Sequence, residues 1–251
     1  MITKRQKIKG IIEVFVLGIC IMLIVLYFFL YKIPSPQKIF SKSQSSVVEL
    51  KSQTGTDIIT YGSAVFIKDD GTLVSNAHMV VYKKAGTYQE FEMYEIRFSY
   101  ETEYRSVFLI KYDLQQDIAI LKLNDVSNIQ FKAIKTQNSS KLVSGDKVYA
   151  VGNGLNHGIG ITEGAISLPQ INIEYEDTIR NVIQCDLIIN EGNSGGALLD
   201  ERGRLIGITT FRLKDNMGNI IYGVAFCIPI NMVIDLSLIH ISEPTRPLYI
   251  S

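Results

Sequence analysis

From residue 46 onward the chain alternates short runs of β-branched and aromatic residues with breaks of Gly, Asn and Asp. That pattern predicts strands joined by tight turns. Residues 63–67 and 72–75 flank Lys68-Asp69-Asp70-Gly71, a hairpin signal because Asp-Gly tolerates positive φ. Residues 94–100 and 105–112 form a second candidate pair, and 118–123, 147–151, 160–168 and 182–187 continue the series. Residues 197–199 and 205–211 pair across Asp200-Glu201-Arg202-Gly203, and 220–228 supply a last strand. An apolar period of 3.6 appears in this region only at residues 231–238, predicting a short helix capped by Asn231. Many short strands with frequent turns and no fixed repeat predict an all-β sandwich or pair of barrels.

The N-terminus follows a different pattern. Residues 14–31 hold no charged side chain and are rich in Ile, Leu, Val and Phe. With Ile11 and Ile12 the stretch reaches the roughly 20 residues that cross a bilayer as a helix. Lys4, Arg5, Lys7 and Lys9 precede it without an acidic residue among them, so the positive-inside rule keeps residues 1–10 in the cytoplasm and exports the rest. Tyr27 and Tyr31 fall where an interfacial aromatic belt would lie. A cleaved signal peptide is the competing reading, but the apolar run exceeds the roughly 7–15 residues of a signal core and no small-x-small site follows. The expectation is a transmembrane signal anchor over 11–31, then a Pro- and Ser-rich linker over 32–45. The body of the chain is placed outside a cell membrane that it crosses once.

Composition narrows the function classes. The 251 residues carry 25 basic and 25 acidic side chains, three Cys and no Trp. A 47% hydrophobic fraction excludes a disordered chain, and three Cys exclude a disulfide-rich scaffold. Setting aside the four N-terminal cations leaves 21 basic against 25 acidic residues, so the exported part is mildly acidic and a nucleic-acid partner is not expected.

Three short stretches carry chemistry. In Glu191-Gly192-Asn193-Ser194-Gly195-Gly196-Ala197 a Ser sits among glycines that let the backbone turn sharply and aim N–H groups at one point. Ser75-Asn76-Ala77-His78 places a His directly after a predicted strand, and Asp117-Ile118-Ala119-Ile120-Leu121-Lys122 opens a strand with a carboxylate. Taken singly, these read as a glycine-rich hairpin, a surface histidine and a turn residue. Together they run His, Asp, Ser, the chain order of the chymotrypsin form of the catalytic triad. A Ser hydroxyl needs a base within reach, and an imidazole needs a carboxylate to fix its tautomer.

The same stretches resemble the trypsin-like serine proteases of the HtrA (Deg) type. The resemblance covers residues 46–236 and extends to Val151-Gly152-Asn153, Thr162-Glu163-Gly164-Ala165-Ile166-Ser167, Gln184-Cys185-Asp186 and Gly223-Val224-Ala225-Phe226-Cys227-Ile228-Pro229. It implies two six-stranded antiparallel barrels, the first over about 46–135 and the second over about 140–230. In that frame His78 is general base and then acid, Asp117 orients it, Ser194 is the nucleophile, and the N–H groups of Gly192 and Ser194 form the oxyanion hole. Glu191 stands where the family commonly has Pro, which implies a looser or adjustable oxyanion loop. Substrate-binding positions implied by the resemblance are Ile188 and Ile189 before the nucleophile and Thr209, Thr210, Phe211 and Arg212 on the pairing strand. Ile189 favours an apolar P1 side chain, whereas an inward Arg212 would favour an acidic one. Cys185 and Cys227 fall on neighbouring strands of the implied second barrel, where either a disulfide or two buried thiols would fit.

The function expected is an anchored serine endopeptidase acting on exported polypeptides, misfolded or extended, without a cofactor and with no metal site. A silent peptide-binding or chaperone-like module on the same fold is the alternative. Members of that family commonly form homotrimers and often carry PDZ domains after the final helix, so the resemblance leaves a homotrimer open here, and no residue of this sequence decides either feature. His157, with no His or Cys at ligand spacing, is read as a loop residue. Residues 237–251 break the helix with Pro244 and Pro247 and resemble a translated sequencing adapter, so His240 receives no role.

Overall fold

The computed structural model describes residues 4–30, 33–127, 129–175, 178–214 and 220–239, with backbone alone at 30, 211–214, 220, 222 and 239. The chain divides into two units, Met1–Ser35 and Pro36–Ser251. The first is a single helix, α1 (Lys4–Leu30), of 27 residues. At 1.5 Å per residue it is about 40 Å long, more than a bilayer's hydrocarbon core requires. Its segment Lys4–Phe29 is long and apolar enough to cross a membrane, and none of its most apolar window is buried in protein.

The second unit begins with a helix in a segment that the sequence pattern assigned to a linker. In α2 (Pro36–Ser43) the proline takes the first turn, where its missing N–H costs nothing, and Ile39 is buried. Then follow β1 (Val47–Thr54), β2 (Ile58–Phe66), β3 (Thr72–Ser75), β4 (Val81–Lys84), β5 (Thr87–Glu90), β6 (Met93–Arg97), β7 (Arg105–Asp113) and β8 (Ile118–Leu123). Strands β1, β2, β3, β8, β7 and β6 close into an antiparallel barrel in that order. The pair β4–β5 stands apart as a two-stranded hairpin whose turn, Ala85-Gly86, has φ of 50° and 83°. An Ala at positive φ is a weak sequence signal, and this hairpin was not predicted.

The second barrel uses β9 (Lys147–Gly152), β10 (Gly160–Tyr175), β11 (Thr178–Asp186), β12 (Ala197–Asp200), β13 (Leu205–Lys214) and β14 (Ile220–Pro229), in the order β10, β11, β14, β13, β12, β9. The all-β fold with two closed six-stranded antiparallel barrels is therefore the one expected from the sequence. Strand β10 runs well past its predicted end at residue 168. Pro169 lies where the β10–β11 register shifts, and a bulge tolerates its missing N–H. Helix α3 (Ile230–Ile239) closes the described chain. Asn231, expected as its cap, instead lies within it and accepts a hydrogen bond from Ser139 N–H at 3.2 Å through Oδ1. Residues 240–251, most of the suspect tail, lie outside the described residues.

One apolar cluster joins the barrels. Val47, Val65, Val74, Ile118 and Ile120 of the first barrel share it with Tyr149, Val151, Ala197, Leu199, Leu205 and Ile208 of the second. Ile39 of α2 and Val233 of α3 cover the same cluster, so both helices seal the seam between barrels.

Candidate active site

The first barrel delivers an imidazole and a carboxylate. His78 lies in a 3-10 turn (Ala77–Met79) directly after β3, with its side chain 47% exposed. Asp117 precedes β8 with φ of 57°, a left-handed position, and is buried. Its carboxylate meets His78 Nδ1 at 2.9 and 3.0 Å and accepts the His78 backbone N–H at 3.0 Å. The Asn76 amide donates to the Asp117 carbonyl at 3.1 Å, holding the turn in register. From the second barrel the Thr210 hydroxyl donates to Asp117 Oδ2 at 2.5 Å. Burial alone would raise the Asp117 pKa. The adjacent His78 charge, with hydrogen bonds from His78 and Thr210, outweighs burial and holds the carboxyl below its ordinary value.

The second barrel delivers the Ser194 loop, and strand β2 grips it from across the seam. Ser63 N–H donates to the Ser194 carbonyl at 2.8 Å, and Ser63 Oγ donates to the Gly192 carbonyl at 2.7 Å while accepting Asn153 N–H at 2.8 Å. From β13, Thr209 Oγ1 donates to the Asn193 carbonyl, and the Thr209 carbonyl accepts Gly195 N–H at 2.9 Å. Two glycines are indispensable. At Gly192 (φ +90°) a Cβ would stand 2.0 Å from the Asn153 carbonyl oxygen, and at Gly195 (φ +80°) one would stand 2.1 Å from the Ser63 carbonyl oxygen.

The peptide planes set where the N–H groups of the Ser194 loop point. Leu155 N–H donates to the Glu191 carbonyl at 2.7 Å. Across a trans peptide this turns the Gly192 N–H away from the 154–156 turn. Asn193 N–H is satisfied by Asn190, but among the described residues neither Gly192 N–H nor Ser194 N–H donates to a protein acceptor. Glu191 itself is exposed, so its carboxylate does not crowd the loop. The Ser194 hydroxyl donates to the Thr210 carbonyl at 3.0 Å.

The structure brings His78, Asp117, Gly192, Ser194 and Thr210 into one hydrogen-bonded system. The other implied substrate positions diverge. Ile188 is 62% exposed, whereas Ile189 is buried in the second-barrel core. Thr209 and Thr210 are buried, with their hydroxyls bonded to the Asn193 carbonyl and to Asp117. The side chains of Phe211 and Arg212 lie outside the described residues. Cys185 and Cys227 are two buried free thiols. They sit diagonally across β11 and β14, where Cys185 faces Ala225 and Cys227 faces Ile183. The neighbouring Cys185 and burial push the Cys227 thiol pKa upward. His157 lies beside the first barrel near Glu49 and Arg97, and no cluster of metal-ligating side chains occurs among the described residues.

Sequence reasoning gave no role to Ser63 or Leu155. Ser63 had a faint signal, a small hydroxyl residue beside a glycine in an apolar strand. Leu155 N–H acts through its backbone and leaves no trace in residue type.

A family model described as "Trypsin-like peptidase domain" matches residues 62–208. Among curated relatives, a probable periplasmic serine endoprotease DegP-like of Buchnera aphidicola subsp. Baizongia pistaciae is 40% identical over 181 residues, covering 70% of this chain and 35% of that protein. The periplasmic serine endoprotease DegP of Escherichia coli K12 is 35% identical over 177 residues, again 70% of this chain and 35% of its own length. The chain thus spans about a third of the curated relatives it matches. Among solved structures, the HtrA-type protease AlgW with tripeptide superposes with a TM-score of 0.68 at 29% identity, over 83% of this chain and 64% of that one. The serine endoprotease from Yersinia pestis gives 0.65 at 27% identity, over 84% and 68%.

Proposed function

Because the chain belongs to the trypsin-like peptidase domain family, as a serine-type peptidase of the HtrA kind, we propose that it is a membrane-anchored endopeptidase cleaving exported polypeptides through His78, Asp117 and Ser194. The observation that carries this reading is the single system of hydrogen bonds in which Asp117 holds His78 Nδ1 and the Ser194 loop sits between two unpartnered N–H donors.

In the proposed reaction the Ser194 hydroxyl turns from the Thr210 carbonyl to His78 Nε2 and gives up its proton as Oγ attacks the scissile carbonyl carbon. Asp117, an anion below its ordinary pKa, keeps Nδ1 protonated and stabilises the imidazolium that forms. The developing oxyanion takes the Gly192 and Ser194 N–H groups, each worth about 2.7–4 kcal/mol in the transition state by analogy with a measured oxyanion donor. His78 then protonates the leaving amine, and water, activated by the same imidazole, hydrolyses the acyl-enzyme. The apolar P1 preference read from Ile189 loses its pocket-lining residue to the second-barrel core, and a peptide library cleaved after Glu but not after Val would overturn that preference.

Fluorophosphonate labelling tests the core of this reading. The probe is expected on Ser194, and Ser194→Ala is expected to abolish both labelling and casein cleavage. A folded wild-type chain that neither labels nor cleaves would overturn it. One observation favours a second reading, a peptide-binding module without turnover: the serine hydroxyl rests on the Thr210 carbonyl. Saturable peptide binding with no cleavage would support that module instead.

A further inference from the structure

Asp117 has a second cationic neighbour that the triad does not require. Arg180 projects from β11, the return strand of the long β10–β11 hairpin, and its side chain is only 11% exposed. One guanidinium nitrogen, Nη1, stands 3.8 Å from Asp117 Oδ2. The other, Nη2, donates to the Leu114 carbonyl at 3.4 Å in the turn that leads to Asp117. The guanidinium also lies over the Tyr175 ring, 5.2 Å from its centroid, at the far end of the same hairpin. Burying an arginine this deeply is costly unless an anion faces it. Asp117 supplies such a carboxylate.

We propose that Arg180 is a positioning residue for the triad: it ties the β10–β11 hairpin to Asp117 and sets the ionisation of the His78–Asp117 pair. The proposal rests on the reading of His78 and Asp117 given above. Two cations share one carboxylate. Asp117 favours the protonated imidazole, and a fixed guanidinium on the same oxygen opposes that protonation. With Arg180 seated, His78 stays in its base form to lower pH, and Asp117 stays ionised. With the hairpin displaced, the guanidinium leaves and the imidazole binds its proton more tightly.

The other groups around the pair do not compete for this role. Thr210 from β13 and Asn76 beside the 3-10 turn are neutral donors. Asp113, at the end of β7, accepts Gln116 N–H at 3.0 Å. Glu191, the nearest carboxylate in the Ser194 loop's sequence, is exposed.

The test compares full-length wild type in detergent with Arg180→Met, Arg180→Gln and Arg180→Lys. Two readouts are taken, the pH profile of kcat/KM on a peptide substrate and the NMR titration of the His78 ring. Both neutral variants are expected to move the acid limb and the His78 midpoint upward by about one pH unit, as a like charge a few ångströms farther off would require. Arg180→Lys, which keeps the charge, is expected to retain the wild-type midpoint. Unchanged midpoints in both neutral variants would overturn the proposal. So would a Lys variant shifted as far as they are, or neutral variants that fail to fold, since those results assign Arg180 to packing alone. The NMR titration needs no turnover, so an inactive wild-type chain would defeat the peptidase reading and still leave this inference decided by the His78 shift.

Discussion

Asp117 draws partners from three separate strands or turns, and its chemistry shows why a lone carboxylate in a sequence says so little. The residue type is that of an ordinary turn, and only the fold supplies His78, Thr210 and Arg180 around it. Thr210 is the partner whose removal separates electrostatics from packing. Its hydroxyl bonds a buried anion, an interaction worth about 1.5–3 kcal/mol. The sign follows from the depressed carboxyl. Stability from Asp117 is fully present above the unfolded carboxyl pKa, about 3.9, and is lost as pH falls through the lower folded value. Thr210→Val is therefore expected to destabilise the protein by about that amount at pH 7, with the deficit shrinking once Asp117 is protonated. Urea unfolding of both proteins over a pH series, from neutral down through the range where Asp117 protonates in the folded protein, measures it. A deficit that stays constant along the whole series would assign the effect to shape.

At the scale of elements, the first barrel holds the Ser194 loop of the second chiefly through the 63rd position of β2. Ser63→Ala removes the bridge between the Gly192 carbonyl and Asn153 N–H and leaves both buried groups without their partner. The expected result is a fall of roughly tenfold or more in kcat, larger than any rise in KM, with a loss of about 1–3 kcal/mol in stability. Steady-state kinetics beside a thermal melt separate the two, and a change confined to KM would refute the bracing role. The strands themselves were legible because alternation and Asp-Gly turns are local signals. That pattern alone left a sandwich or a pair of barrels open, and the two six-stranded barrels with the parts given to His78 and Ser194 came from the family resemblance. Helix α2, the β4–β5 hairpin and the outer half of β10 were not legible. The first is stabilised by the burial of Ile39 against a seam formed by distant strands, the second turns on an Ala in an unusual conformation, and the third crosses a proline at a bulge. Arg180 and Leu155 escaped for a related reason: an arginine on a strand reads as solvated charge, and a backbone N–H reads as nothing at all.

For the whole molecule, the two units place opposite demands on the solvent. The strand-rich unit buries its core across a shared seam, whereas α1 exposes Phe15, Leu17, Leu26, Phe28 and Phe29 along its length. Twenty-seven helical residues with that surface cannot remain dispersed in water without a bilayer or another apolar cover. On the proposed reading, the basic residues before the apolar run hold the N-terminus in the cytoplasm and leave the strand-rich unit outside. Ile39, buried at the start of the second unit, marks where the folded unit already begins, so a cut between Ser35 and Pro36 removes no core residue. A chain lacking residues 1–35 is accordingly expected to move from the membrane fraction to the soluble fraction and to keep its fluorophosphonate labelling. The intact chain should resist extraction by high salt and alkaline carbonate and yield only to detergent, because a helix of this hydrophobicity is held by burial in hydrocarbon and not by charge. Release of the intact chain by carbonate alone would point to cleavage after α1 or to attachment at the surface, and would overturn the single-pass anchor.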